Sequence, residues 1–71
     1  MASIRVNFKE EMADKFRADV EMNEELSETF MDMGGSTWVV DYDGDYSDVW
    51  QDTVNLLSIY GYRVGSCYTI D

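Results

Sequence analysis

"KEEMADKFRADVEM", residues 9–22, decides the fold, because it carries two hydrophobic periods at once. Phe16, Ala18, Val20 and Met22 alternate with Arg17, Asp19 and Glu21, the two-residue period of a half-buried strand. Met12, Phe16 and Val20 recur every four residues, which is the period of a helix face. The first reading makes 16–22 a strand reached through a polar connection. The second makes one helix from Lys9 onward. The alternation favours the strand, so the expected element order is β-β-α-β-α-β, with β-α-α-β-α-β as its competitor.

The flanks are clearer. "SIRVNF" before it alternates Ile4, Val6 and Phe8 with Ser3, Arg5 and Asn7, and is expected to be a strand. After it, Asn23 is placed to cap a helix whose first turn holds Glu24 and Glu25, where the helix dipole favours acids. Leu26, Phe30 and Met33 give that helix an apolar stripe, and Gly34-Gly35 ends it. "STWVVDY" reads as a strand and "DGD" as a turn. Asp48 is expected to cap a further helix, with Gln51 at its third position, in a spacing like that of a capping box. Val49, Thr53, Leu56, Leu57 and Tyr60 form the buried side of that helix, and Gly61 stops it. "YRVGSCYTI", residues 62–70, closes the chain as an alternating strand with Val64, Ser66, Tyr68 and Ile70 on one face. No proline, internal repeat or low-complexity linker marks a boundary, so residues 1–71 are read as one acidic α+β domain. The expected architecture is a small two-layer sandwich, with helices on one face of a mainly antiparallel sheet.

Composition narrows the chemistry. The 71 residues include one cysteine, Cys67, and no histidine. A Cys/His zinc centre, a Ser-His or Cys-His nucleophile and an intrachain disulfide are therefore all excluded. A lone thiol fits a reducing compartment. No apolar run approaches the ~20 residues of a membrane span, so a soluble, cytoplasmic protein is expected. The net charge is −10, and it is unevenly spread. Residues 1–17 carry four cations and three acids, net +1, whereas residues 18–71 carry only Arg63 against twelve acids, net −11. Such a surface repels nucleic acid and anionic membranes, so neither is expected to bind directly.

The densest acids lie in "WVVDYDGDYSDVW", residues 38–50, and just beyond it. Asp41, Asp43 and Asp45, with Asp52, match positions 1, 3, 5 and 12 of a calcium loop. Such a loop needs glycine at its sixth position, where Tyr46 stands, and a bidentate glutamate at its twelfth. At most a weak calcium module follows, and no metal site is assigned. "WVVDYDG" resembles the first motif of haloacid dehalogenase-type phosphatases, in which Asp41 would be the nucleophile and Asp43 the acid-base. That resemblance covers seven residues and has Asp45 where the family has Thr or Val. No lysine follows residue 15 to balance a phosphate. No catalytic residue and no cofactor are expected, and the chain is read as a non-enzyme.

The remaining reading is a presented acidic surface. Asp41, Asp43 and Asp45 repeat every two residues along an extended segment, with Asp48 and Asp52 following. Glu21, Glu24, Glu25, Glu28 and Asp32 recur at three-, four- and seven-residue intervals along the first expected helix. Tyr42, Tyr46 and Trp50 lie among the acids as aromatic anchors for a protein partner. Met12, Met22, Met31, Met33 and Trp38 are read as packing residues. The function expected is non-enzymatic inhibition by nucleic-acid mimicry, with carboxylates taking the place of phosphates in the basic groove of a nucleic-acid-binding host or defence protein. Small acidic phage proteins that block restriction, CRISPR or transcription enzymes act in this way, and a phage-encoded protein would work in the host cytoplasm. The alternative is a small adaptor that binds a partner through the aromatic surface. Pairing of two copies along strand 62–70 is a further expectation.

Overall fold

The computed structural model describes residues 2–71 and resolves the ambiguity over 9–22 in favour of the helix. The elements are β1 (Ala2–Phe8), α1 (Glu10–Met22), α2 (Glu24–Thr29), β2 (Met31–Asp32), β3 (Thr37–Tyr42), α3 (Tyr46–Ile59) and β4 (Tyr68–Ile70). The expected α+β architecture is present, and its order is the competing β-α-α-β-α-β with a short extra strand, β2.

Residues 16–22 are thus helical and do not form a strand. Of the four positions that gave the alternation, only Phe16 and Val20 are buried; Ala18 is exposed and Met22 is 83% exposed. A strand would have to bury all four. A helix buries Phe16 and Val20, with Met12 packed against the core one turn earlier. Glu10 and Glu11 in the first turn complement the helix dipole.

The four strands lie in the order β2-β3-β1-β4 and all pairings are antiparallel. The register sets Ile4 against Val40, Val6 against Trp38 and Ile70, and Phe8 against Tyr68. The even-numbered residues of these strands face the helices. Ser3, Arg5, Asn7, Thr37, Val39, Asp41 and Thr69 face away, on a sheet face that no helix covers.

Between sheet and helices lies one cluster made of Ile4, Val6, Phe8, Trp38, Val40 and Tyr68 from the strands, with Phe16, Val20, Leu26, Phe30, Leu57 and Tyr62. Phe16 is its hub. It stacks on Phe8 at 4.1 Å between ring centroids and meets Phe30, Trp38 and Tyr62 edge-to-face at 5.1–5.4 Å. The Cα radius of gyration, 11.1 Å, is that of a compact chain of this length.

Four local expectations are corrected. The helix after Asn23 ends at Thr29, so Phe30 and Met33 are not on its stripe; the chain extends at Phe30 into β2, and Met33 is 62% exposed. Met22 and Met31 are likewise exposed rather than packed. The third helix begins two residues before Asp48: Asp45 holds the N-cap position with extended backbone, and Gln51 Nε2 donates to Asn55 Oδ1 (3.0 Å) further along. The expected strand 62–70 shrinks to 68–70. There Gly65, with φ +88°, turns the chain, its N–H donates to Tyr68 O (2.7 Å), and Cys67 N–H donates to Arg63 O (2.9 Å). A turn thus consumes the main-chain groups that a longer strand would need. The short β4 does lie at the sheet edge.

The end of α3 follows the sequence closely. Gly61 adopts φ +91°, its N–H donates to Ser58 O (3.0 Å), and Tyr62 N–H reaches back to Leu57 O (2.9 Å). This is the Schellman arrangement, and it drops Tyr62 into the core beside Leu57.

Candidate functional site

The acids after β3 are presented by a turn and a helix. β3 carries Asp41 to the end of the sheet, and Gly44, with φ +117°, turns the chain away from it. The straight line of Asp41, Asp43 and Asp45 that an extended segment would give is therefore broken. A different alignment replaces it. Asp45, at the N-cap, and Asp48 and Asp52, on α3, are spaced by three and four residues and share one side of the helix. All five aspartates are exposed. The positive end of the α3 dipole offsets the repulsion near Asp48.

Beside them, Tyr42 is half-buried and meets the ring of Tyr46 edge-on at 6.3 Å, while Tyr46 is 47% exposed. Trp50 is half-buried. Trp38 belongs to the core, as expected.

The first acidic group divides into separate pieces. Asn23 has extended backbone (φ −127°, ψ 112°) and breaks the helix, so Glu21 ends on α1 while Glu24, Glu25 and Glu28 ride on α2. The Asn23 side chain does not cap α2; its Nδ2 donates to Asp19 O (2.9 Å), a terminal carbonyl of α1. Glu24 and Glu28 remain aligned one turn apart. Asp32 sits on β2 and is occupied within the fold. Arg17 donates to both of its oxygens (2.5 and 3.4 Å), and the Gly34 N–H donates to Oδ1 (2.8 Å). These hydrogen bonds, led by Arg17, hold the Asp32 carboxyl below the usual carboxylate range. Arg17 also donates to Gly35 O (3.0 Å) and lies 5.2 Å over the Trp38 ring, so it pins the β2–β3 turn to α1. No local pattern links residues 17 and 32, because the pair depends on the helical rotation of α1.

A second polar link runs from α1 to the segment after α3. The Tyr62 hydroxyl donates to Asp19 Oδ2 (2.5 Å), and Lys15 lies 3.6 Å from the same carboxylate and 4.4 Å over the Tyr62 ring. Burial, followed by the Asp19 hydrogen bond, pushes the Tyr62 hydroxyl well above its usual range.

Beyond these links the acidic surface forms no ion pair among the described residues. Among the described residues the ion pairs are Lys15–Asp19 and Arg17–Asp32, both made by α1. No Lys or Arg pairs with Glu21, Glu24, Glu25, Glu28, Asp41, Asp43, Asp45, Asp48 or Asp52. Also among the described residues, no three Asp, Glu or Cys side chains gather as a metal ligand set. A strand, not a helix, precedes the would-be calcium loop, and Asp52 lies inside α3. No described helix is long and apolar enough to cross a membrane.

The two acidic stretches meet at one place. Glu28 and Thr29 at the end of α2, Met31 on β2, and Val40 and Asp41 on β3 line a shallow cavity of about 290 Å³. That lies at the lower bound of ligand pockets and suits a single side chain better than a substrate. Comparisons with protein-family models, curated proteins and solved structures find no match to this chain.

Proposed function

We propose that this protein is a non-enzymatic inhibitor that mimics nucleic acid and occupies the basic groove of a nucleic-acid-binding protein. The observation that carries this is the exposed set of carboxylates on α2, the end of β3 and α3, which form no ion pair among the described residues. A chain with net charge −10 stores self-repulsion, and pairing with a partner's arginines and lysines relieves it. From Asp45 to Asp52 the helix rises ~10.5 Å with three carboxylates, close to the ~10 Å over which four successive phosphates of one DNA strand advance.

Binding of this kind is steered by charge and screened by salt. The test is capture of lysate proteins on the tagged chain, with elution in rising salt. A nucleic-acid-binding protein that leaves as salt rises, and is not retained by an Asp45→Lys/Asp48→Lys/Asp52→Lys variant, supports the proposal. Undiminished capture by that variant removes α3 from the interface.

The exposed Tyr46 against half-buried Tyr42 favours one second reading, a protein-binding adaptor that uses this aromatic corner. In that case Tyr46→Ala lowers affinity more than any single Asp→Asn change, and the complex survives high salt.

A further inference from the structure

We infer that the cavity between α2 and the end of β3 receives an arginine side chain of the partner, an inference that rests on the mimicry reading and gives that surface its anchor. The cavity exists because β3 outruns β2. Met31 is paired with Val39, and continuing that register would set Thr29 against Asp41, but Thr29 is the last residue of α2. One rung of the ladder is therefore missing.

Main-chain direction alternates along a strand. Met33 N–H donates to Thr37 O (3.1 Å) toward β2, so Asp41, four residues on, turns its own N–H and C=O the same way. Among the described residues, neither group has a partner there. The missing rung leaves that carbonyl without a partner beside two carboxylates, Glu28 and Asp41, that form no ion pair among the described residues. Met31, 45% exposed and paired with Val39, supplies an apolar surface on the same sheet face as Asp41.

A guanidinium on a three-carbon stem matches this lining on both counts. Its stem lies on Met31, and its forked donors reach the carboxylates and the carbonyl. An ammonium offers three donors from a single point and fits less well. An anion is repelled. A bare metal ion lacks a third carboxylate.

The test uses the intact protein with ¹³C-methyl methionine and titrates N-acetyl-arginine amide, with N-acetyl-citrulline amide as the neutral isostere. The Met31 methyl signal should shift and saturate with the arginine compound, with Kd on the order of 1–10 mM for so small a ligand. Citrulline should leave it in place. Met12, packed in the core, and Met22, at the end of α1, serve as controls and should not move. Glu28→Gln with Asp41→Asn should weaken the saturable phase about tenfold or more, the scale of charge-assisted hydrogen bonds.

A silent Met31, or Met22 and Met31 drifting together without saturation, overturns the pocket. The probe needs no partner, so such a failure leaves the mimicry reading to its own salt and DNA tests. A saturable Met31 in a protein whose partner ignores DNA keeps the pocket and removes the mimicry.

Discussion

Phe16 shows how much of this fold hangs on single side chains. Its ring touches aromatics from β1, the α2–β2 junction, β3 and the segment after α3, so its loss opens a cavity shared by every layer. Phe16→Ala should cost about 3–5 kcal/mol, against a total of about 4–10 kcal/mol for a domain of this size, so it should remove roughly half of the stability or more, read as a much lower urea midpoint by circular dichroism. Gly61 is a second such point. At φ +91° an alanine would be strained, and Gly61→Ala should lower stability by roughly 1–2 kcal/mol in urea unfolding.

Two tyrosines set the alkaline limit. Burial pushes the Tyr68 hydroxyl up to about 12, and Tyr62 is raised too, against ~10 for a free tyrosine. The folded state holds these protons more tightly than the unfolded one. Their stabilising contribution is therefore complete below pH ~10 and is lost as pH rises from there through the folded values. The urea midpoint should fall above pH ~10, and less steeply in Tyr62→Phe. At the acid end, Asp32 is depressed, so its contribution is present above pH ~4 and fades as pH falls through its folded value. At this scale, what was legible in sequence was whatever local chemistry decides. Gly61 as a helix stop and Leu57 as core both follow from spacing. The Arg17–Asp32 and Tyr62–Asp19 links join residues 15 and 43 positions apart, and nothing local announces them.

Among the elements, α1 is the one that separates the two readings of the chain. A strand over 16–22 would bury Ala18 and Met22, whereas the helix exposes both. Ala18→Lys and Met22→Lys should each change stability by no more than about 0.5 kcal/mol, as exposed substitutions do. A loss of several kcal/mol at either would mean that the residue is packed. The alternation misled because Phe16 and Val20 satisfy both periods, and small Ala18 and flexible Met22 are weak witnesses for burial. β1 was legible because Ile4, Val6 and Phe8 alternate with polar residues and all three are buried, and β3 because its β-branched and aromatic run buries Trp38 and Val40. β2 was not, since two residues make no period. It is held by main-chain pairing to β3 and by the Arg17–Asp32 pair, contacts that come from distant parts of the chain. The acidic surface was legible as composition but not as geometry: Gly44 and Asn23 break the two alignments that spacing implied, and α3 creates a different one.

For the molecule as a whole, charge is the dominant fact. Its extents are 31 × 23 × 22 Å, and the screening length is ~10 Å at 0.1 M salt, so the exposed acids repel one another across much of the surface at low ionic strength. Added salt should therefore raise the urea midpoint of the free protein while weakening its complex, and these opposite signs mark charge held for a partner. Neutralising Asp45, Asp48 and Asp52 to asparagine should stabilise the free chain modestly in low salt and abolish binding. The most direct measurement is competition. With the captured partner immobilised and saturated with this protein, duplex DNA is titrated in at constant salt. Mimicry predicts that bound protein leaves in proportion as DNA binds, with no ternary complex. DNA joining the complex while all the protein stays bound would contradict it.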